Sequence, residues 1–456
     1  MEKLSKEELL RRSKVPGLNA LKMHKFFKGK MQTIPRCQIR DYNDFGIWYS
    51  PGVAAPSMEI FKKKDRVYDY TNKWNTIAVV SDGSRVLGLG NIGPEAALPV
   101  MEGKSLLFKY LGGVDAIPLC IGKDRCCEAD QIIDFVKMIQ PTFGGVNLED
   151  ISNPKCFTVL DKLRSDPDIR IPVWHDDQQG TATVVLAALI NSLRIIGKKK
   201  EDVKIVLNGI GASNFRVFQL LKLEGFKLKN FIFVDSKGIL HKDRSDLQDP
   251  TNYKHDLIYD ANPDQLQGDC GIALEGADVL ISATIPGPGV IRKDWISKMA
   301  DDAVVFALAN PIPEIFPWDA IEAGARIVAT GRSDFPNQVN NSLCFPGIFR
   351  GTLDVRAKTI TDEMCIAASY ALANLIDEID GCLTDSCILP TMDYEEVFIR
   401  QAVATGLKAI DQGLALLNLS GEEIQLNSRK IIEGSQTQFK LLIQKGLIPS
   451  FDDYEK

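Results

Sequence analysis

The stretch that decides the fold is VKIVLNGIGASNFRVFQLLKLEGFKLKNFIFVD, residues 203–235. An apolar run is followed by a glycine turn, a helical period and a second apolar run that ends in an acidic residue. This order is typical of a βαβ unit that binds a dinucleotide, because the glycines let the backbone approach a pyrophosphate at the helix N-terminus. The residues predicted to contact the cofactor are Gly209, Gly211, Ala212, Ser213 and Asp235.

Two features of this unit leave the cofactor site incompletely defined. Asn214 occupies the third small position of the motif, where a small residue normally allows helix and strand to pack closely. Asp235 favours a cofactor site over a plain turn, because its carboxylate can accept from a ribose hydroxyl. A basic cluster follows that could hold the 2′-phosphate of NADP, or could be a solvated loop: Ser236, Lys237, His241, Lys242 and Arg244. The sequence therefore favours NADP and leaves NAD open.

Further apolar runs on both sides of this unit predict more strands. They lie at residues 75–82 and 113–121, and at 277–284, 302–310 and 326–330. Since helical patterns separate them, we expect an α/β fold: a Rossmann-type parallel-sheet dinucleotide-binding domain, an N-terminal α/β domain and a helical C-terminal tail. We assign residues 1–178 to the N-terminal domain and 179–456 to the dinucleotide-binding domain, with the helical tail starting at about residue 362.

Composition restricts the class of protein. The chain has 456 residues, of which 54 are Lys or Arg and 60 are Asp or Glu, so its net charge is −6 and nucleic acid is not an expected partner. Ten cysteines are too few for a disulfide scaffold, which indicates reduced thiols and a cytoplasmic protein. The first 14 residues predict an amphipathic helix rather than a secretory signal. No apolar stretch reaches the roughly 18 residues that a membrane span requires, so we expect no membrane association.

Two pairs of acidic residues follow strand-like runs. Glu149 and Asp150 end GGVNLED, and Asp176 and Asp177 lie in WHDDQQGT. The carboxyl ends of parallel strands face the ligand crevice of an open sheet, and carboxylate oxygens suit Mg²⁺ or Mn²⁺. A single such residue is more often a surface acid or a helix cap, but two pairs in matching contexts favour a metal site.

Other residues of the first half have more than one interpretation. Lys104 lies in an apolar stretch, where desolvation could lower its pKa for general-base catalysis, although a surface lysine is the default interpretation. Tyr49 is either a buried phenol or a proton donor. Gly88, Gly90 and Gly93 look like a second dinucleotide motif, but no acidic strand end follows them. We therefore interpret these glycines as a tight loop that shapes a pocket.

Six segments, in this order, resemble the malic enzymes, especially the shorter form found in bacteria. They are YSPGVAAP (49–56), SDGSRVLGLGNIGPEAALPVMEGK (81–104), ED (149–150), HDDQQGTA (175–182), ALANPIPE (307–314) and GRSDFPNQVNNSLCFPG (331–347). The resemblance extends from about residue 24 to residue 354. It implies oxidative decarboxylation of L-malate to pyruvate and CO₂, with reduction of NADP or NAD and a divalent metal, Mg²⁺ or Mn²⁺. It also implies a homodimer or a higher oligomer.

The resemblance assigns roles to individual residues. It implies metal ligation by Glu149, Asp150 and Asp177. It implies that Lys104 is the general base for the malate hydroxyl, tuned by Asp176, and that Tyr49 protonates C3 of the enolate. Substrate contacts are implied for Arg85, Asn310, Asn340 and Asn341, with Asn310 also near the cofactor. Two alternatives stay open: a malolactic activity that retains NAD, and a catalytically silent dinucleotide-binding sensor.

Overall fold

The computed structural model describes residues 17, 19–123, 127–379 and 383–451, and its strands form two separate sheets. The first sheet has the order β2-β1-β3-β4, and all its pairs are parallel. Its strands are β1 (Thr76–Ser81), β2 (Asp115–Cys120), β3 (Gly145–Leu148) and β4 (Val173–His175). The amphipathic helix predicted for the first 14 residues lies outside the described residues, as do Cys126 and Cys382.

The second sheet contains six strands in the order β10-β9-β8-β5-β6-β7. They are β5 (Ile205–Asn208), β6 (Phe231–Asp235), β7 (Gly238–Ile239), β8 (Val279–Ser282), β9 (Val304–Ala307) and β10 (Ile327–Thr330). Every pair is parallel except β6 with β7, which is antiparallel. The predicted α/β class, with a Rossmann-type sheet built on residues 203–235, is confirmed.

Each sheet has one point at which the strand order reverses. In the first sheet β1 lies between β2 and β3, and in the second β5 lies between β6 and β8. Ligands of open parallel sheets bind at the carboxyl ends of the strands beside such a reversal. The loop after β1 and the glycine turn after β5 are therefore the positions where the fold opens a crevice.

Helices cover both sheets. Those of the first part are Phe45–Trp48, Ala54–Lys62, Val67–Tyr70, Pro94–Gly112, Ala129–Ile139 and Lys155–Ser165. Those around the second sheet are Thr181–Ile196, Ala212–Leu223, Leu257–Asp260, Cys270–Ala273, Lys293–Ile296 and Pro317–Glu322. The C-terminal helices are Phe345–Asp354, Asp362–Leu375, Glu396–Asp411 and Gly421–Gln444.

One continuous helical stretch joins the two sheets. A π-helical turn, Asp176–Gly180, follows β4 directly and continues into the helix Thr181–Ile196. The combined stretch is 21 residues long and contains an 18-residue window with a mean hydropathy of 1.4, so by length and composition it could cross a membrane, and it is longer than the sequence suggested. In the structure 78% of its apolar window is buried inside the protein, as in a core helix.

The C-terminal helices pack against the first part of the chain. A Cβ at Gly112 would lie 2.8 Å from the carbonyl oxygen of Pro346, and one at Gly113 would lie 2.6 Å from Cγ2 of Ile431. Ser435 donates to the carbonyl of Lys109 at 2.9 Å. The helices Phe345–Asp354 and Gly421–Gln444 thus contact the C-terminal end of the helix Pro94–Gly112, which carries Lys104.

Candidate active site

Three carboxylates meet at the carboxyl edge of the first sheet. Glu149 and Asp150 follow β3, and Asp177 lies in the π-helical turn that follows β4. One oxygen of each lies within 4.8 Å of the other two. Glu149 and Asp150 are buried, whereas the Asp177 side chain is 32% exposed. The cluster is therefore open to solvent on its Asp177 side.

Backbone and amide donors hold these carboxylates in place. The Asp150 N–H donates to Asp177 Oδ2 at 2.8 Å, and the Leu87 N–H donates to Asp150 Oδ1 at 3.2 Å. Asn147 Nδ2 donates to Glu149 Oε2 at 2.9 Å. Burial, together with the charge of Asp177, raises the pKa of Asp150 to about 8, and burial raises the pKa of Glu149 well above its usual value. Three acids this close, two of them buried, favour a bound cation over three free charges.

Lys104 lies on the helix Pro94–Gly112 with its ammonium among the acids. Its Nζ is 2.5 Å from Asp176 Oδ2 and 3.0 Å from Glu149 Oε1. The ammonium also lies 4.3 Å from the centre of the Phe345 ring. Trp174 Nε1 donates to the other oxygen of Asp176 at 3.1 Å. Lys104 is thereby held between the acidic residues and the aromatic ring of Phe345.

The expectation that desolvation lowers the Lys104 pKa is wrong for this arrangement. Burial does act to lower the pKa of Lys104, but the charges of Asp176 and Glu149 outweigh it and hold the pKa above its usual value. The sequence showed the apolar surroundings along the helix and not the carboxylates that the fold brings beside the amine. A cation among the acids would offset part of that negative charge.

The predicted substrate residues divide into two groups. The Arg85 N–H donates to the Asp150 carbonyl at 3.0 Å, and its guanidinium is close enough to lower the pKa of Asp150. Asn341 lies beside the π-helical turn, since a Cβ at Gly180 would be 3.1 Å from the Asn341 Cβ. In contrast, the Asn340 side chain donates to the Gly331 carbonyl at 2.9 Å and accepts from the Ser342 N–H. Arg85 and Asn341 therefore border the cluster, whereas the Asn340 side chain is used within its own loop.

Asn310 lies where loops of the two sheets meet. A Cβ at Gly88 would lie 2.5 Å from the Asn310 carbonyl oxygen, and one at Gly331 would lie 2.7 Å from Asn310 Nδ2. Gly88 thus belongs to a tight loop against the second sheet, as predicted for the glycine run of the first domain. Asn310 is placed at the mouth of the crevice between the sheets.

The glycine turn has the geometry of a cofactor loop. Gly209 has φ 85°, and a Cβ there would lie 2.6 Å from the Ala283 carbonyl oxygen, so only glycine fits. Ala212 and Ser213 begin the helix Ala212–Leu223. Asn214 is buried and donates to the carbonyls of Asn208 and Ile281 at 2.9 and 3.2 Å. The unusual third position of the motif thus joins the helix to β5 and β8 by hydrogen bonds.

Asp235 ends β6 with all its acceptor positions in use. Its two oxygens accept from the Lys237 N–H at 2.9 Å, from Arg244 at 2.8 and 3.2 Å, and from Lys254 at 2.8 Å. Arg244 also donates to Asp246, and Lys237 Nζ is 2.9 Å from the same carboxylate. The basic loop predicted after β6 is therefore largely ion-paired within itself. A ribose hydroxyl or a 2′-phosphate would have to replace one of these partners.

Tyr49 is separated from the other candidate residues. The residue is 73% exposed, and no hydrogen bond joins the phenol to Lys104 or to an acid in the part of the chain that the structure describes. The helices on either side of it, Phe45–Trp48 and Ala54–Lys62, contain no buried residue. Exposed apolar side chains cover this segment: Tyr42, Phe45, Ile47, Trp48, Tyr49, Val53, Met58 and Phe61. We call residues 42–61 the N-terminal face.

The donor set suits a hard divalent cation. All three ligating groups are carboxylates, which Mg²⁺ and Mn²⁺ prefer, and Asp150 Oδ2 is buried with no hydrogen-bond partner. A bound cation would satisfy that oxygen and compensate the buried charges. The site therefore fits the metal that the sequence resemblance implies.

Sequence reasoning missed several residues of the site. A Cβ at Gly180 would lie 2.0 Å from Asp176 Oδ1, so this glycine is required beside the acid, and Phe345 provides the aromatic face for Lys104. Lys254 reaches Asp235 from outside the predicted cluster. Gly180 follows the acidic pair closely in sequence, which was a usable signal. Lys254 gave none, and Phe345 lies in the quoted segment 331–347 without any sign of its contact with Lys104, because only folding brings these residues to their positions.

Comparisons with known proteins agree with this geometry. The family described as malic enzyme, N-terminal domain, matches residues 28–164, and malic enzyme, NAD binding domain, matches residues 178–405. The bifunctional malic/malolactic enzyme of Bacillus subtilis is 44% identical over 90% of this chain and 97% of its own. The NAD-dependent malic enzyme of Geobacillus stearothermophilus is 46% identical over 82% of this chain and 76% of its own.

Solved structures show the same similarity over nearly the whole chain. The Entamoeba histolytica malic enzyme superposes with a TM-score of 0.93 at 42% identity, covering 98% of this chain and 93% of its own. The malic enzyme of Pyrococcus horikoshii superposes with a TM-score of 0.87 at 47% identity, covering 94% and 98%.

Proposed function

Because this chain belongs to the malic enzyme family, as an NAD- or NADP-dependent oxidoreductase that decarboxylates malate, we propose that its reaction takes place where Lys104 meets the three carboxylates. The observation that carries this assignment is the position of the Lys104 ammonium, which lies 3.0 Å from Oε1 of Glu149, one of the three carboxylates. The reaction converts L-malate to pyruvate and CO₂ and transfers a hydride to the nicotinamide.

In this proposal, Glu149, Asp150 and Asp177 hold Mg²⁺ or Mn²⁺. When bound, the cation supplies positive charge that stabilises negative charge developing on the substrate oxygens. The three carboxylates set where that charge lies, and the exposed side of Asp177 leaves an approach for malate. Arg85, beside Asp150, pairs with a substrate carboxylate.

Lys104 is the proposed general base. It removes the proton from the C2 hydroxyl of malate, and Asp176 keeps the amine oriented through its 2.5 Å contact. The neighbouring acids favour the ammonium form, so the lysine acts as a base only when the cluster charge is compensated. Asn310 and Asn341, at the mouth of the crevice and beside the π-helical turn, orient the substrate.

The nicotinamide cofactor occupies the crevice at the carboxyl ends of β5, β6 and β8. Gly209, Gly211, Ala212 and Ser213 receive the pyrophosphate at the helix N-terminus. Asp235, Ser236 and Lys237 lie at and just after the end of β6, where they would contact the ribose of the adenosine. Since Arg244 and Lys237 already pair with carboxylates, the 2′-phosphate of NADP has fewer free cations than the sequence suggested, and both NADP and NAD stay candidates.

The working unit is a homodimer formed through the N-terminal face, in which Tyr49 serves the active site of the partner subunit. Eight large apolar side chains on residues 42–61 are exposed in the part of the chain that the structure describes, and Tyr49 lies among them, 73% exposed. Contacts within the segment are local: Trp48 Nε1 donates to the Gln38 carbonyl at 3.1 Å. A second copy would bury this surface and bring the phenol to a substrate as the acid that protonates C3.

The reaction is tested by following the absorbance of reduced nicotinamide with L-malate and Mn²⁺, with NADP and NAD in parallel and a chelator as control. We expect a chelator-sensitive signal. A malolactic activity is the second candidate, because the Bacillus subtilis relative is named as bifunctional. It would produce lactate without accumulation of reduced nicotinamide. No signal and no lactate would contradict both assignments.

Two broader features are also proposed. We place the division between the substrate domain and the dinucleotide-binding domain at residues 178 and 179, inside the helical stretch Asp176–Ile196. The ten cysteines, which we interpret as reduced thiols, support a cytoplasmic location. Fractionation of cells that express the tagged chain tests the location.

A further inference from the structure

Glu314 is a buried carboxylate that the proposed mechanism does not use. It is fully buried, and Oε1 accepts from Ser282 Oγ at 2.8 Å and from the Thr284 N–H and Oγ1 at 2.9 and 3.2 Å. Oε2 accepts from the Ala309 N–H at 3.0 Å. The side chain thus joins the loop after β8 to the loop after β9.

The same hydrogen-bond network reaches the glycine turn after β5. Asn208 Nδ2 donates to Ser282 Oγ at 3.1 Å, so Ser282 links the end of β5 to Glu314. The glycine turn also packs closely against the loop after β8, because a Cβ at Gly209 would lie 2.6 Å from the Ala283 carbonyl oxygen and 2.7 Å from Thr284 Cγ2. Movement of residues 283–284 would therefore displace the pyrophosphate turn.

On its other side, Glu314 fixes the loop that carries Asn310. Ala309, whose N–H it accepts, directly precedes Asn310 at the mouth of the crevice. The Glu314 backbone carbonyl also accepts from the Gly289 and Ile291 N–H groups at 3.1 and 3.3 Å. Glu314 thus contacts the loops after β8 and β9 directly and is linked to the end of β5 through Ser282.

The hydrogen-bond donors around this position suit a carboxylate better than an amide. The two oxygens of Glu314 face four donors, and no lysine or arginine among the described residues forms an ion pair with them. A glutamine could satisfy the donors on one oxygen, but its amide nitrogen would then face the Ala309 N–H, donor against donor. Burying a charge without a cation is costly, which indicates a role that a neutral side chain would not fulfil.

We propose that Glu314 is a positioning residue for the dinucleotide, which it serves by holding the loops after β5, β8 and β9 at the spacing that the cofactor requires. The inference rests on the dinucleotide use in the proposed function and deepens it. Glu314 touches neither substrate nor cofactor, so its effect is expected on cofactor affinity and much less on the chemical step.

The test is Glu314→Gln, with Glu322→Gln as the matched control because Glu322 lies on the adjacent helix with its side chain 72% exposed. Calorimetry with NADP, NAD and Mn²⁺ separately, in the absence of malate, gives each affinity. We expect Glu314→Gln to weaken dinucleotide binding at least tenfold and to leave Mn²⁺ affinity within twofold. In turnover, KM for the dinucleotide should rise at least tenfold and kcat should change less than threefold. The control should match the wild type.

Unchanged dinucleotide affinity in folded Glu314→Gln would overturn the proposal, and so would an equal loss of Mn²⁺ affinity, which would indicate general damage. If Glu314→Gln does not fold, Ser282→Ala removes one donor and the link to Asn208. Weaker dinucleotide binding at unchanged Mn²⁺ affinity would then support the proposal, and unchanged binding would overturn it. Because binding is measured without malate, a chain that binds dinucleotide but does not oxidise malate would contradict only the proposed function.

Discussion

At the scale of single residues, Lys104 shows how the fold changes the chemistry of a side chain. The sequence placed it in an apolar stretch, whereas the structure surrounds its ammonium with Asp176 and Glu149 at 2.5 and 3.0 Å. Its protonation is therefore linked to the charge of the carboxylate cluster. A motif can identify a candidate residue, but the pKa of that residue depends on neighbours that are distant in sequence.

We predict that Lys104→Ala lowers kcat for malate oxidation by about 10²- to 10⁴-fold, the usual contribution of a general base. Dinucleotide affinity should stay near that of the wild type, because the glycine turn lies on the other sheet. Steady-state kinetics and calorimetry measure the two quantities. Lys109→Ala, on the same helix but paired with Asp115, is the control. Full activity of Lys104→Ala would remove the proposed role.

Asp177 is the carboxylate of the cluster that solvent can reach. We predict that Asp177→Ala weakens Mn²⁺ binding by about 100-fold, because the cation loses one of three charged ligands. Calorimetric titration of the chelator-treated protein gives the affinity. Asp161→Ala, on the helix Lys155–Ser165, is a control outside the cluster. An affinity equal to that of the wild type would exclude Asp177 from the ligand set.

Asp235 stabilises the loop after β6 through its four hydrogen bonds, and this contribution depends on pH. Although burial acts to raise it, the bonds from Arg244 and Lys254 keep the pKa of Asp235 below its usual value. Its stabilising effect is thus present above about pH 4, the pKa of an unfolded aspartate, and is lost as pH falls through the lower folded pKa.

We therefore predict that Asp235→Asn lowers the free energy of unfolding by about 1–3 kcal/mol at pH 7. The difference from the wild type should shrink as pH falls below about 4. Urea denaturation over this pH range measures the difference. Asp243→Asn, an exposed side chain in the same loop, is the control. A difference that did not change with pH would show that the charge of Asp235 is not what stabilises the loop.

At the scale of elements, close helix packing holds the tail on the body. In the helix Phe345–Asp354, a Cβ at Gly351 would lie 2.1 Å from the Ala402 carbonyl oxygen, and one at Gly347 would lie 2.8 Å from the Phe398 carbonyl. Both contacts are with the backbone of the helix Glu396–Asp411. Small residues one turn apart thus allow the two helix backbones to approach closely.

We predict that Gly351→Ala lowers the free energy of unfolding by at least about 2 kcal/mol, because overpacking against backbone outweighs the gain in helix propensity. Gly434→Ala is the matched control, since Gly434 lies inside the exposed part of the helix Gly421–Gln444 and nothing is within 4 Å of its added Cβ. It should stabilise by about 0.5–1 kcal/mol. Thermal denaturation of both variants checks the pair, and equal effects would contradict the packing argument.

At the scale of the whole molecule, the N-terminal face exposes apolar side chains for which the fold of one subunit gives no reason. Exposed apolar surface of this extent marks an interaction site, and Tyr49 lies within it. The proposed dimer gives each active site a lysine from one subunit and a tyrosine from the other.

Mixing inactive variants tests this arrangement. We predict that Lys104→Ala and Tyr49→Phe are each nearly inactive, and that refolding them together restores up to about a quarter of wild-type kcat. In a mixed dimer one site would contain Lys104 and the partner's intact tyrosine. Mixing each variant with itself is the control. If both residues acted within one chain, every mixed dimer would stay inactive.

Much of the molecule could be predicted because its signals are local. The glycine turn at Gly209, the strands around it and the acidic pairs at strand ends follow from hydrophobic period, turn chemistry and the rule that parallel strands end at one edge. The resemblance of six segments to malic enzymes added roles to residues such as Glu149 and Asp177. These inferences need only the order of residues along the chain.

What only the tertiary structure decided depends on contacts between distant segments. The carboxylates around Lys104, the pairing of Asp235 with Arg244 and Lys254, and the network centred on Glu314 join residues far apart in the chain. The exposure of Tyr49 is a property of the folded surface. The sequence by itself determined the fold class, the family and the identity of the candidate site residues. The tertiary structure decided their charges and partners, because these depend on distance and burial in space rather than on spacing along the chain.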